Sequence, residues 1–411
     1  MRRFVPHRII ALCAAGAALA VAAVLALAAP AQAAQLTAVS GFGSNPGSLA
    51  MYSYRPDGLP SGAPAVVLLH GCAQDANGYF TNSGWRTFAD RWRFALIIPQ
   101  QSSANNATSC FNWFENGDIT RGQGEAASIR SMVSYAVTTY GTASNRVYVS
   151  GLSSGGAMSA VMLATYPDVF AAGSVIAGMP YRCAVGMVAA FSCMNPGVDK
   201  TPAAWGDLVR AAHSGYTGPR PKVAIWHGTA DYTVATANAN ESRDQWTNVL
   251  GVPATPTSTT SLSGGTTLEK YGSDQVRVYR VSGMGHGTPV DPGTAADQCG
   301  TAAAYFLDTI CSAYHDATFF GLNTGGGDPT TPPTTTPPTT PPTGEPTNPP
   351  TTPPSGECVT ASNYAHVTAG RAYQSMGYAY ARGSDQRMGL YNVFYTTALR
   401  RTGPDSWVIG C

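Results

Sequence analysis

The chain has 411 residues, enough for more than one domain, and its 24 Lys and Arg nearly cancel 23 Asp and Glu, for a formal charge of +1. With charged residues at only 11%, no basic stripe exists to neutralise a phosphate backbone or an anionic membrane, which argues against nucleic acid as a partner. The 20 tyrosines and 45 glycines suit instead an extracellular protein that meets neutral polymers or small neutral esters.

At the N-terminus, Arg2, Arg3 and Arg8 precede an apolar stretch from Ile9 to Ala29, which closes on Pro30 and then Ala31-Gln32-Ala33. Basic, apolar and small-residue segments in that order read as a secretory signal over residues 1–33, cleaved near Ala33/Ala34. The apolar run is long enough to span a bilayer, but it is Ala-rich and runs straight into the cleavage site. A secreted, extracellular chain with no membrane attachment after cleavage is therefore expected. Nine cysteines occur, and Cys13 leaves with the signal. The remaining eight are Cys72, Cys110, Cys183, Cys193, Cys299, Cys311, Cys358 and Cys411. An even count in an exported chain suggests disulfides. Connectivity does not follow from sequence, although nearest-neighbour pairing closes short loops and leaves each domain self-contained. No C-x-x-C pair or Cys/His cluster at ligand spacing is present, so no metal and no cofactor is expected.

From residue 34 to 322 strand-like runs alternate with helical patterns. Ala65–Leu69, Phe94–Ile98, Val147–Val149, Ser174–Ile176 and Lys222–Trp226 are short, continuous apolar runs of the kind buried on both faces of a parallel sheet. Ile129, Met132, Val133, Ala136 and Tyr140 recur at helical spacing, as do Met158, Val161, Met162 and Thr165. Repeated βα units predict an α/β fold, a mostly parallel sheet covered by helices, with its chemistry at the carboxyl ends of the strands. Residues 323–357 form a linker that is almost wholly Thr and Pro from Asp328 to Pro354, an extended, semi-rigid spacer. Residues 358–411 are left as a module small enough to need its own staple. Such a tether holds the larger part near a surface without dictating its orientation.

The candidate strand Val147-Tyr148-Val149-Ser150 runs into Gly151-Leu152-Ser153-Ser154-Gly155 and then the helical Ala157-Met158-Ser159-Ala160-Val161. This is G-x-S-x-G in the strand-turn-helix setting that the motif requires. Glycines are needed because a serine held in a strained turn survives only where its neighbours lack side chains. A serine hydroxyl is a weak nucleophile, so a base must reach it and a third group must orient that base, in the chain order Ser, acid, His. Asp231, in the loop after Lys222–Trp226, and His286, between glycines after the strand Val276–Tyr279, satisfy that order. Ser153 is read as nucleophile, His286 as base and Asp231 as orienting acid. His227 as base would break the order; it is expected to shape the Asp231 loop. The amide of Ser154 is expected to donate to an oxyanion, joined by the amide of Cys72 or, alternatively, of Gly71 in Leu69-His70-Gly71-Cys72-Ala73-Gln74. His70 either ties that loop down or takes a direct part.

These motifs, together with Cys110-Phe111-Asn112-Trp113-Phe114, Arg121-Gly122-Gln123-Gly124-Glu125, Trp226-His227-Gly228-Thr229-Ala230-Asp231 and Gly283-Met284-Gly285-His286-Gly287, resemble the catalytic domain of extracellular short-chain-length polyhydroxyalkanoate depolymerases. The wider family also holds feruloyl and acetylxylan esterases. The resemblance implies an α/β-hydrolase fold, hydrolysis of an insoluble polyester such as poly(3-hydroxybutyrate) (PHB), and Trp113 and Phe114 as walls of the acyl site. The tail, with Asn363-Tyr364-Ala365-His366, Gly383-Ser384-Asp385-Gln386-Arg387-Met388-Gly389-Leu390-Tyr391 and Trp407-Val408-Ile409-Gly410-Cys411, resembles the substrate-binding domain of PHB depolymerases. The resemblance implies adsorption to a polyester surface. In the tail, Leu390 and Val408 are expected inside, some tyrosines outside, and Cys358 and Cys411 joined at its ends. The protein is expected to act as a monomer. Two rivals remain: an esterase acting on xylan, with the tail binding carbohydrate, and an exported adhesion protein with an inert core. Sequence leaves chain-length preference and endo or exo cleavage open.

Overall fold

The computed structural model describes residues 35–324, 357–375, 378–391 and 395–410. The expected signal, 1–33, and most of the expected linker, 323–357, lie outside the described residues. Ten strands, β1 (Thr37–Val39), β2 (Ala50–Tyr54), β3 (Ala65–Leu69), β4 (Ala95–Gln100), β5 (Val147–Leu152), β6 (Phe170–Ile176), β7 (Lys222–Gly228), β8 (Ser258–Leu262), β9 (Thr266–Tyr271) and β10 (Val276–Val281), form one sheet in the order β1-β2-β4-β3-β5-β6-β7-β10-β9-β8. The six strands from β4 to β10 in that order are parallel to their neighbours. Antiparallel β1 and β2 complete one side, and the β8–β9 hairpin completes the other.

Composition explains the layout. All five residues of β3 and all six of β5 are buried, so these strands can occupy only the middle of the sheet, where each large aliphatic residue contributes about 1.5–3 kcal/mol by leaving water. In β8, Ser258-Thr259-Thr260-Ser261 is exposed, as suits an edge strand. Helix Ser154–Thr165 is buried at every position and packs against β3, β5 and β6. Nearest-neighbour pairing holds for Cys72–Cys110, Cys183–Cys193 and Cys299–Cys311. Cys358 is also disulfide-bonded, and its expected partner Cys411 lies outside the described residues. This is the expected α/β-hydrolase architecture, with the carboxyl ends of β3, β5, β7 and β10 on one edge of the sheet. No helix among the described residues is long and apolar enough to cross a membrane.

The C-terminal part consists of two three-stranded sheets, Cys358–Ser362 with Thr396–Gly403 and Ser406–Ile409, and Ala372–Ser375 with Tyr378–Ala381 and Arg387–Leu390, joined by helix Asn363–Thr368. Its core is Ala372, Ala379, Ala381, Met388, Leu399 and Trp407. The expectation for Val408 is one residue off. Trp407 turns inward and Val408 is half-buried, because adjacent residues of a strand face opposite sides. The side chain of Leu390 lies outside the described residues. Tyr373 and Tyr395 are exposed, in keeping with a module that shows only some of its rings.

Candidate active site

Ser153 links β5 to helix Ser154–Thr165 and has φ 57° and ψ −116°, a conformation that a residue with a Cβ adopts only under constraint. The constraint is visible on both sides. A Cβ on Gly151 would lie 2.4 Å from the Gly155 carbonyl oxygen, and one on Gly155 would lie 2.2 Å from that of Leu69. These two positions therefore accept only glycine, and their bare backbones let β3, β5 and the helix close on the turn. The Ser153 amide donates to the Ile176 carbonyl at 2.9 Å, which anchors the turn to β6.

Asp231 and His286 come from adjacent strand ends. The Nδ1 of His286 donates to Oδ2 of Asp231 at 2.7 Å, while Oδ1 of Asp231 accepts the amides of Thr233 and Val234 at 2.9 Å each. That turn is typical of aspartate, whose short side chain caps the backbone two or three residues on. Burial opposes the charge of Asp231, but His286, His227 and the Val234 amide outweigh burial and hold its carboxyl below the usual value. The two loops are also sewn together: Ala230 donates to the Met284 carbonyl at 3.0 Å, Thr229 to that of Val281 at 2.9 Å, and the Gly283 amide to the Thr229 hydroxyl at 2.8 Å. With Nδ1 engaged, Nε2 of His286 is the nitrogen left for chemistry.

The remaining histidines near the site are structural. His227 is buried, its Nε2 donates to the Val234 carbonyl at 2.9 Å, and burial lowers its pKa, so it shapes the Asp231 loop as expected. The ring of His70 is wholly buried, which pushes its pKa down to about 4. Its Nε2 accepts the Gln101 amide at 3.1 Å and its Nδ1 donates to the Gly71 carbonyl at 2.8 Å. It therefore ties the loop after β3 to the end of β4, and both ring nitrogens are occupied.

In that loop the Gly71 amide donates to Oε1 of Gln74 at 2.7 Å and the Ala73 amide to the Thr108 carbonyl at 2.8 Å. Among the described residues the Cys72 amide has no protein acceptor. Of the two expected alternatives, Gly71 is thus engaged elsewhere and Cys72 is free to donate. Cys72 and Ser154 line one cavity with Ser153, of about 560 Å³, whose walls include Trp113, Phe114, Met179 and Phe191. Trp113 and Phe114 meet edge to face at 5.4 Å and are both nearly buried, so they serve the core and the cavity at once. On the other side of Ser153 a smaller cavity is lined by Gly71, Gln74, Thr233, His286 and Tyr305. The structure therefore gathers Ser153, Asp231, His286, Cys72, Ser154, Trp113 and Phe114 in one place.

Two features have no signal in the motifs, and a third, Glu125, lies in a motif that gave it no role. Helix Met187–Met194 forms part of the cavity rim, held by Cys183–Cys193, and Val188 on it is 85% exposed; only the cysteine pair could have marked it. Tyr305 belongs to no motif. Buried Glu125, whose carboxyl burial pushes up to about 8, accepts the Asn112 amide at 2.9 Å and so supports the cavity wall from behind.

Residues 47–269 match the family model described as esterase PHB depolymerase. The chain is 55% identical over 292 residues to poly(3-hydroxyalkanoate) depolymerase C of Paucimonas lemoignei, covering 70% of each chain. It is 38% identical over 276 residues to feruloyl esterase B of Talaromyces stipitatus, covering 65% of this chain and 76% of that one. Among solved structures, an acetyl xylan esterase from Aspergillus awamori superposes with a TM-score of 0.61 at 29% identity, over 70% of this chain and 99% of the other.

Proposed function

Because the chain belongs to the esterase PHB depolymerase family, and is therefore a carboxylic ester hydrolase, we propose that it is a secreted enzyme that hydrolyses the ester bonds of an insoluble polyester, PHB, by way of an acyl-enzyme on Ser153. The observation that carries this reading is the placement of Ser153, in its strained turn, between the Asp231-oriented ring of His286 and an apolar cavity. His286 Nε2 takes the hydroxyl proton as Ser153 Oγ attacks the ester carbonyl, and the amides of Cys72 and Ser154 donate to the resulting oxyanion. The tetrahedral centre then collapses, the bond to the alcohol oxygen breaks, and that oxygen receives the proton from Nε2. Water, deprotonated by His286, attacks the acyl carbon; the bond from that carbon to Ser153 Oγ breaks, Oγ takes the proton back from Nε2, and a hydroxy acid leaves with Ser153 restored.

Trp113 and Phe114 wall the acyl side. Met187 and Phe191, which line the cavity, and their chain neighbours Val185 and Val188 are between 47% and 85% exposed and support a solid apolar substrate, because a soluble protein seldom exposes apolar side chains together without a use for them. The tyrosine-bearing C-terminal module supplies adsorption to the polymer surface. Three cross-links support export to an oxidising compartment, and the protein acts as a monomer at the polymer surface.

Xylan esters are the second reading, favoured by the similarity to feruloyl and acetylxylan esterases. Incubating the purified chain with a PHB film and with acetylated or feruloylated xylan decides between them. Soluble 3-hydroxybutyrate is the expected product. Acetate or ferulate release from xylan with an intact film would overturn the polyester reading.

A further inference from the structure

Ser153 lies between two cavities of different character. Both are lined by Cys72 and Ser153; the larger adds Ser154, Trp113 and Phe114 but not His286, and the smaller adds His286 and Tyr305. Since His286 must hand its proton to the leaving oxygen, the alcohol portion of a substrate departs on the side of His286, and the acyl portion occupies the side of Trp113 and Phe114. What lies beyond His286 therefore meets the alcohol side of a polymer.

Tyr305 lies there. Its ring meets the His286 ring edge-on, 6.4 Å between centres at 83°. It also stacks on Tyr364 of the C-terminal module at 4.2 Å and 15°, and Tyr364 stacks in turn on Tyr391 at 5.4 Å. Tyr305 has φ 66°, an outlier for a bulky side chain, and such strain persists only where the surroundings over-determine it. Its carbonyl is held by the Thr288 amide at 2.7 Å. Tyr305 is 9% exposed, and its buried hydroxyl has no hydrogen-bond partner among the described residues. Burial, with Tyr364 and Tyr391 nearby, pushes that phenol well above its usual pKa. Beside the stack runs an apolar groove of about 330 Å³, lined by Ala73, Ala304, Tyr305, Tyr364, Ala365 and Ala369, within the range of about 300–1,000 Å³ common to small-molecule sites. It shares Tyr305 with the catalytic cavity and draws its opposite wall from the module.

We propose that this groove is an alcohol-side subsite, shared by the two parts of the chain, which holds the polyester repeat units on the leaving side of the scissile bond. The proposal rests on the polyester reading above. A chain of alternating methyl and ester groups matches it, since the alanines and the ring faces of Tyr305 and Tyr364 take the apolar segments. The module then does more than bring the enzyme to a surface: it completes the path of a single polymer chain past Ser153.

Two soluble substrates separate the sides without any solid. The p-nitrophenyl ester of a 3-hydroxybutyrate trimer extends along the acyl side, and the trimer O-acylated with butyrate extends along the alcohol side. In the full chain, Tyr364→Ala should lower kcat/KM for butyrate release from the second about tenfold relative to the first, mainly through KM, as expected for loss of about 1.4 kcal/mol of binding. Ala369→Trp, which adds bulk at an exposed position, should do the same, and Tyr364→Phe should restore the wild-type ratio. Equal losses on both substrates, or an unchanged ratio in both variants with a wild-type melting profile, would overturn the groove while leaving the polyester reading intact. If the wild-type chain released no 3-hydroxybutyrate from either trimer or film, that reading would fail and the subsite with it.

Discussion

Residues 35–324 bury a continuous apolar core on a ten-stranded sheet, whereas the C-terminal module packs three alanines, Met388, Leu399 and Trp407. So little apolar area cannot offset the ordering entropy of some fifty residues. The module makes up the difference with buried polar groups. Asn363 Nδ2 donates to the Met388 carbonyl at 3.1 Å and its Oδ1 accepts the Thr397 hydroxyl at 2.6 Å. His366 Nε2 donates to the Thr397 carbonyl at 2.8 Å, and its Nδ1 accepts from Arg371. The disulfide at Cys358 adds a covalent restraint. The larger part thus keeps its shape by burial, and the smaller by hydrogen bonds and a cross-link. Each should fail under a different insult.

The largest effect should come from Ser153→Ala, on the order of a 10⁴-fold loss of p-nitrophenyl butyrate hydrolysis or more, with adsorption to PHB granules retained. His286→Ala should be comparably severe and His227→Ala milder, since His227 only shapes the Asp231 loop. Initial rates and a granule pull-down check all three, and the reverse order of the two histidines would mean that the base is misassigned.

Next in size, Cys358→Ser should cost the module about 2–5 kcal/mol, enough to remove granule adsorption while hydrolysis of the soluble ester stays within about twofold. Truncation after Asn323 should act likewise, with a deficit in film erosion that is large at low enzyme concentration and shrinks as enzyme is added, because the module contributes effective concentration at a solid. A film rate equal to that of the full chain at every concentration would break the proposed division of labour.

The smallest effect concerns burial in the larger part. Asp316 is wholly buried, its Oδ1 accepts the Trp226 indole N–H at 2.8 Å, and burial pushes its carboxyl up to about 7. Between about pH 4 and 7 the folded state keeps a proton that the unfolded chain has released, so this contribution to stability is present in acid and is lost as pH rises through 7. Asp316→Asn keeps the acceptor and removes the titration. Its melting temperature should therefore fall less than that of the wild type between pH 5 and 8, and parallel slopes would show that another group governs the loss.

Much of the larger part is legible from local pattern. β3 and β5 declare themselves because a strand buried on both faces must be apolar throughout, and the order of Ser153, Asp231 and His286 follows from which strand ends meet. Two of the described nearest-neighbour cysteine pairs close readily, at sequence separations of only 10 and 12. Other features carry no such signal. Met187-Val188-Ala189-Ala190-Phe191 has the composition of a core helix, yet all of it but Ala190 is exposed, because exposure depends on what lies opposite a segment and not on the segment. Cys72 is expected as the second oxyanion donor with its neighbour Gly71 as the alternative, and only the approach of Gln74 Oε1 to the Gly71 amide removes the alternative. Tyr305 is one tyrosine among 20 until the fold sets its ring between His286 and Tyr364. The sequence by itself determined the central parallel strands and the chain order of the catalytic candidates, which arise from periodicity and motif. The cavity walls, the free amide and the aromatic path to the module were decided only by tertiary structure, since each depends on contacts between residues far apart in the chain.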